Sequence, residues 1–163
     1  MVASGKKWGI VVNFSHIPEG NSMFLGEFEY KIDEKGRVPL PPKFRRELRE
    51  GLVLTQGPEK CIVGYAVAQW GKVASSLTTG TIAPSKLRRL TRAIFATAFS
   101  LYLDGQGRIV LPVPLREYAG IKDEVVITGV NTYFELWNKE QWASEKAISQ
   151  EQAWQIIESL ERH

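Results

Sequence analysis

From residue 28 the chain reads FEYKIDEKGRVPLPPKFR, and its apolar and polar positions change places with a regular rhythm. Phe28, Tyr30 and Ile32 alternate with Glu29 and Lys31, a period of two that marks a strand with one buried face. Asp33 and Gly36 then shape a turn: the carboxylate can accept backbone N–H groups, and glycine supplies a positive φ. Arg37 opens a second short strand, which ends at Leu40-Pro41. Proline suits the first turn of a helix, so PPKFRRELRE reads as a helix closed by Gly51. Two apolar strands, LVLT and CIVGY, and a trailing helix containing Trp70 complete the unit.

The pattern then repeats. Residues 99–116 read FSLYLDGQGRIVLPVPLR, so that Phe28, Asp33, Gly36, Arg37, Leu40, Pro41 and Arg45 meet Phe99, Asp104, Gly107, Arg108, Leu111, Pro112 and Arg116 at a constant offset. Tyr30, Ile32, Val38 and Phe44 meet Leu101, Leu103, Ile109 and Leu115, which keep apolarity where identity is lost. A second helix, PVPLREYAG, closes at Gly120, and VVIT, YFELW and a trailing helix with Trp142 follow. The chain is a duplicated β-β-α-β-β module of α+β class, with linking and C-terminal helices.

The parts divide as follows: an extension over 1–22, a first module over 23–75, a linker and basic helix over 76–94, a second module over 95–142 and a C-terminal helix over 143–163. TTGTIAPS is turn-rich, and Ser85 or a neighbour is expected to cap KLRRLTRAIF. Leu87, Leu90 and Ile94 face the body of the protein, leaving Lys86, Arg88, Arg89 and Arg92 outward. The last helix carries a stripe through Trp142, Ala143, Ala147, Ala153, Trp154, Ile157 and Leu160 that calls for cover, from its own module or a neighbouring subunit. Residues 1–22 match neither repeat and read as a weakly ordered extension. Pro39 removes a ladder donor, so its strand belongs at an edge or a bulge.

Composition narrows the function classes. One cysteine, Cys61, excludes a disulfide framework and a Cys-rich zinc site; it falls in an apolar strand and reads as a small buried hydrophobe. Two histidines, His16 and His163, leave little for catalysis or metal binding. No apolar run approaches the roughly 18–20 residues of a membrane span. Asp33 and Asp104 lack an acid–base partner and read as turn residues. Gly105-Gln106-Gly107 lacks the third glycine of a dinucleotide loop. The expectation is therefore a chain with no catalytic residues, cofactor, metal or small-molecule substrate. The net charge of +3 is unevenly placed: residues 31–50 hold seven Lys/Arg against four Asp/Glu, 84–118 six against two, and 121–163 four against eight. Basic segments followed by an acidic tail suit a polyanion partner for the first part, or simply solvated faces of unequal sign.

The tandem pattern D-x-x-G-R-[IV]-x-L-P-x-x-[FL]-R, with the opening MFLGEFEYKIDEKGR, resembles the MraZ family over residues 23–142. The resemblance implies the AbrB-like swapped-hairpin fold. It further implies a cytoplasmic, nucleoid-associated transcriptional repressor of the bacterial division and cell-wall gene cluster, acting as a ring-shaped homo-oligomer on short direct repeats in promoter double-stranded DNA. An oligomeric module without specific DNA binding is the alternative that the small net charge allows. Arg37 and Arg108 are the leading DNA-binding residues, since each places a permanently charged fork at a turn exit. An ion pair with Asp33 or Asp104 is the structural alternative, and the two roles are compatible. Arg45, Arg46 and Arg116 match helix arginines that superfamily members use at DNA, or are solvated charges. Lys35 and Lys43 suit phosphate contacts. The second turn has Gly105-Gln106 where the first has Glu34-Lys35, which makes the copies unequal.

Overall fold

The computed structural model describes residues 23–78 and 81–161. The reading of 1–22 lies outside them. The described residues fall into two units, 23–139 and the stretch from Glu140 onward. In chain order the elements are β1 (Glu27–Lys31), β2 (Arg37–Pro39), α1 (Pro42–Arg45), β3 (Leu52–Gln56), a 3-10 turn (Pro58–Lys60), β4 (Ile62–Ala66), α2 (Val67–Thr78), α3 (Pro84–Phe95), β5 (Phe99–Leu101), β6 (Arg108–Val110), α4 (Val113–Ala119), β7 (Glu124–Val130), β8 (Tyr133–Trp137) and α5 (Lys139–Glu161).

The first strand of each repeat pairs with the other repeat. In the six-stranded sheet, of order β1-β7-β8-β4-β3-β5, β1 lies antiparallel to β7 with Phe28 opposite Ile127. Reciprocally, β5 lies antiparallel to β3 with Phe99 opposite Leu54. The second strands, β2 and β6, form a separate antiparallel ribbon centred on Val38 and Ile109. β4 and β8 meet at the sheet centre, where Val63 faces Glu135. An approximate two-fold axis through these two central pairs relates the modules. Pro39 is the last residue of β2, in a ribbon whose strands are both edges, as its missing N–H requires.

The core lies between the ribbon and the sheet. Val38, Leu40, Ile109 and Leu111 point down from the ribbon, and Leu52, Leu54, Ile62, Val125, Ile127, Phe134 and Leu136 point up from the sheet. Phe44 and Leu115 enter from the helices, and Phe24 packs edge-on against Phe44 and Phe134 at 4.9 and 5.3 Å. Burial of each such side chain contributes about 1.5–3 kcal/mol. Thr55 and Tyr65 alternate with these residues and point to the opposite face. There the Thr55 hydroxyl donates to the Ile94 carbonyl at 2.7 Å, Tyr65 packs on Trp70 and Trp70 on Phe95. α2 and α3 therefore cover the side of the sheet away from the ribbon.

Three local expectations change. The helix expected over PPKFRRELRE stops at Arg45 and continues as turns to Glu50, so Gly51, at φ 110°, is no helix cap. Its counterpart in the second repeat runs the full Val113–Ala119 and ends on a left-handed Gly120. Ser85 does not cap α3: Ala83 occupies the N-cap without a side-chain bond, and Pro84 starts the helix. Lys86, Arg88, Arg89 and Arg92 are exposed, while Leu87, Leu90 and Ile94 are half-buried. In α5 no side chain is fully buried; Trp142, Ala153 and Ile157 are half-buried, while Trp154 and Leu160 are exposed.

Candidate nucleic-acid interface

The two turns are built alike, around the same aspartate, glycine and arginine. In the first, the Asp33 carboxylate accepts the backbone N–H groups of Lys35 and Arg37 on Oδ1, at 2.9 and 2.8 Å. Its Oδ2 accepts Arg37 Nε at 2.7 Å. In the second, Asp104 Oδ1 accepts from Gln106 and Arg108 at 2.8 and 2.9 Å, and Oδ2 accepts Arg108 Nε at 2.9 Å. Gly36 and Gly107 close the turns at φ 78° and 75°, which a side chain would strain. The Arg37 and Arg108 N–H bonds, backbone first, hold both aspartate carboxyls below their usual range. With both partners about a third exposed, each ion pair contributes little stability. Its effect is geometric: it fixes the guanidinium by Nε alone, and among the described residues nothing bonds Nη1 or Nη2 of either arginine.

The ribbon aims both forks the same way. Arg37 lies opposite Val110 and Arg108 opposite Pro39. Alternation places these four side chains on the outer face, while Val38 and Ile109 face the core. Arg37 and Arg108 are therefore diagonal neighbours, with roughly 7–8 Å between them. Between them lie Pro39 and Val110, the latter 56% exposed. Sequence reasoning missed this small apolar platform; its signal was the alternation of Pro39 and Val110 with Val38 and Ile109.

The helix arginines prop the turns, each one serving the turn of the other repeat. Arg45 donates Nε to the Leu40 carbonyl at 3.0 Å and packs beneath Gly107, where any Cβ would collide with its guanidinium. Arg116 donates Nη2 to the Lys122 carbonyl at 2.7 Å and reaches Gly36 with Nη1. The turns are also tied across the ribbon, since Leu40 N–H donates to the Gly107 carbonyl and Leu111 N–H to that of Gly36. Arg46, Lys35 and Lys43 are exposed. The turn residues, Arg45 and Arg116 thus gather around one ribbon, while Lys43 and Arg46 lie in or just after α1. Among the described residues no group of His, Cys, Asp or Glu is placed to hold a metal, and no helix there is long and apolar enough to cross a membrane.

A polar group lies apart from this site. Glu135, half-buried at the sheet centre, accepts Trp137 Nε1 at 3.0 Å and lies 3.6 Å from Cys61 Sγ. Burial raises the Glu135 carboxyl and pushes the fully buried Cys61 thiol far up.

The fold and site define a two-module α+β protein that presents a pair of clamped arginines on one ribbon. Sequence comparison supplies the family. The profile described as "MraZ protein, putative antitoxin-like" matches twice, over residues 23–91 and 94–162. A protein of Dehalococcoides mccartyi strain BAV1 named Transcriptional regulator MraZ is 61% identical over 142 residues, 86% of this chain and 100% of the relative. A second protein of that name, from strain 195 of the same species, is 59% identical over 85% of this chain and 99% of its own length. One from Roseiflexus sp. strain RS-1 is 42% identical over 74% and 84%. The chain belongs to the MraZ family.

Proposed function

We propose that this protein is a sequence-specific DNA-binding transcriptional regulator that represses the bacterial division and cell-wall gene cluster. It acts in the cytoplasm, on the nucleoid, as a ring-shaped homo-oligomer bound to short direct repeats in promoter double-stranded DNA. The fold it uses is the AbrB-like swapped hairpin, a reading supported by the reciprocal pairing of β1 with β7 and β5 with β3. The observation that carries the proposal is the outward pair of forks. Arg37 and Arg108 commit Nε to an aspartate and leave two N–H-bearing nitrogens each, a donor set matched to a guanine edge or a phosphate. Pro39 and Val110 between them suit apolar contact with a thymine methyl. Lys35, Lys43 and Arg46 supply phosphate contacts, while Arg45 and Arg116 act at DNA with the nitrogens that the turns leave over. The relatives' shared name, Transcriptional regulator MraZ, points the same way.

The test is an electrophoretic shift with DNA from upstream of the protein's own gene. A shift that resists unrelated competitor DNA, and is lost in Arg37→Ala, is expected. Equal affinity for unrelated duplex of the same length overturns sequence-specific binding and leaves the oligomeric module.

A further inference from the structure

From Lys60 to Leu103 the sequence contains no Asp or Glu. Within that stretch α3 exposes Lys86, Arg88, Arg89 and Arg92. None of the four forms an ion pair among the described residues. Leu87, Leu90 and Ile94 turn inward, so Arg88, Arg89 and Arg92 occupy the opposite side of the helix and Lys86 its flank. This face does not serve the duplex held by the ribbon. α3 packs on the far side of the six-stranded sheet, and two packed layers of roughly 10 Å each separate it from Arg37 and Arg108. The partner this face fits is a separate acidic surface.

The same chain carries one. On α5, Glu151, Trp154, Glu158 and Glu161 follow one another at three- and four-residue spacings, so they share a stripe that Ala147 and Glu140 extend backwards. All six residues are exposed. The two lysines of that helix, Lys139 and Lys146, fall outside the stripe. None of the four glutamates forms an ion pair among the described residues.

We infer that the arginine face of α3 docks on the Glu151–Glu158 stripe of α5 in a second copy of this chain. Both surfaces occur once per chain, with opposite sign and similar length, so every copy offers one donor and one acceptor face. Such a contact is head-to-tail, and it closes into a ring when the rotation between copies allows. Arginine suits such a contact, because its fork pairs carboxylates bidentately and its aliphatic stem can lie on apolar neighbours such as Trp154. The inference rests on the oligomeric part of the proposed function and names the surfaces behind it.

The experiment measures mass by light scattering in 0.15 M salt for five full-length proteins. They are the wild type, Arg88→Glu/Arg92→Glu, Glu151→Arg/Glu158→Arg, the combination of these four changes, and Arg88→Gln/Arg92→Gln, with circular dichroism to confirm folding. Each pair of reversals is expected to lower the mean mass at least twofold, and the combination to restore it. Arg88→Gln/Arg92→Gln, which removes charge without repulsion, is expected to fall in between and guards against a misfolded reversal. A monomeric wild type overturns the oligomer reading and the inference together. An oligomeric wild type whose mass survives either reversal overturns the inference alone. So does a combination that stays small, or an α3 reversal that weakens DNA binding at unchanged mass.

Discussion

Arg37 and Arg108 owe their direction to a single bond each, from Nε to a turn aspartate. Removing the arginine and removing its clamp should therefore fail differently. Arg37→Ala is expected to weaken DNA binding by roughly 1–3 kcal/mol per site, measured by fluorescence anisotropy, with melting temperature nearly unchanged. Asp33→Ala leaves the fork in place but untethered and opens the turn, so it should lower both melting temperature and affinity. Arg108→Ala should act as Arg37→Ala does, and less strongly, because Gln106 replaces Lys35 in its turn. The clamp also sets a pH limit. Asp33 and Asp104 titrate below their unfolded values, so their contribution is complete above the ordinary aspartate pKa of about 3.9 and is lost as pH falls through the lower folded value. The Nε–H signals of Arg37 and Arg108 should persist unshifted at pH 5 and change only below roughly pH 4; a change already at pH 6 contradicts the clamp.

At the scale of elements, strand periods and turn chemistry were legible in the sequence, because alternation and Asp-x-x-Gly are local signals. The two proline-led helices were not equally legible: PPKFRRELRE has the composition of a helix, and its buried Phe44 and Leu48 have the four-residue spacing of one helix face, yet only Pro42–Arg45 forms one. Nor could alternation reveal that a strand's partner lies in the other repeat, since period two specifies a face and not a neighbour. The Glu135 environment was equally hidden, because its repeat counterpart is Val63. Burial raises the Glu135 carboxyl, so unfolding releases a proton and stability falls as pH rises from about 4.3 through the folded value. Glu135→Gln keeps an acceptor for Trp137 Nε1 and removes the ionisation. It is expected to melt at a higher temperature than the wild type at pH 8, with the difference vanishing near pH 4, as read by thermal denaturation across that range.

For the whole molecule, several copies each placing arginines on one duplex should make affinity steeply salt-dependent. The logarithmic slope is about −0.9 per phosphate neutralised, and several direct repeats should bind far more tightly than one. Equal affinity for one and three repeats would count against simultaneous reading. Strand exchange carries a further expectation: residues 23–91 alone keep the β3–β4 pair but lack β7, the partner of β1, and β5, the outer neighbour of β3, so this fragment should yield dimers or aggregate on a sizing column, never a folded monomer. The same feature has a bearing on how the protein is made. β1 must wait for β7, whose paired residues lie about a hundred positions later. At about 5–20 residues per second a ribosome needs roughly 5–20 s to supply them. Throughout that interval the nascent chain carries an unpaired β1, and until β5 emerges it also carries an open edge on β3, the features that template pairing with another chain. On a polysome, where neighbouring ribosomes hold identical unfinished chains close together, the missing strand is on offer from the next copy before the chain can supply its own. Slow translation between residues 60 and 124 should therefore favour cross-paired, aggregated product, whereas swift completion lets each chain close on itself.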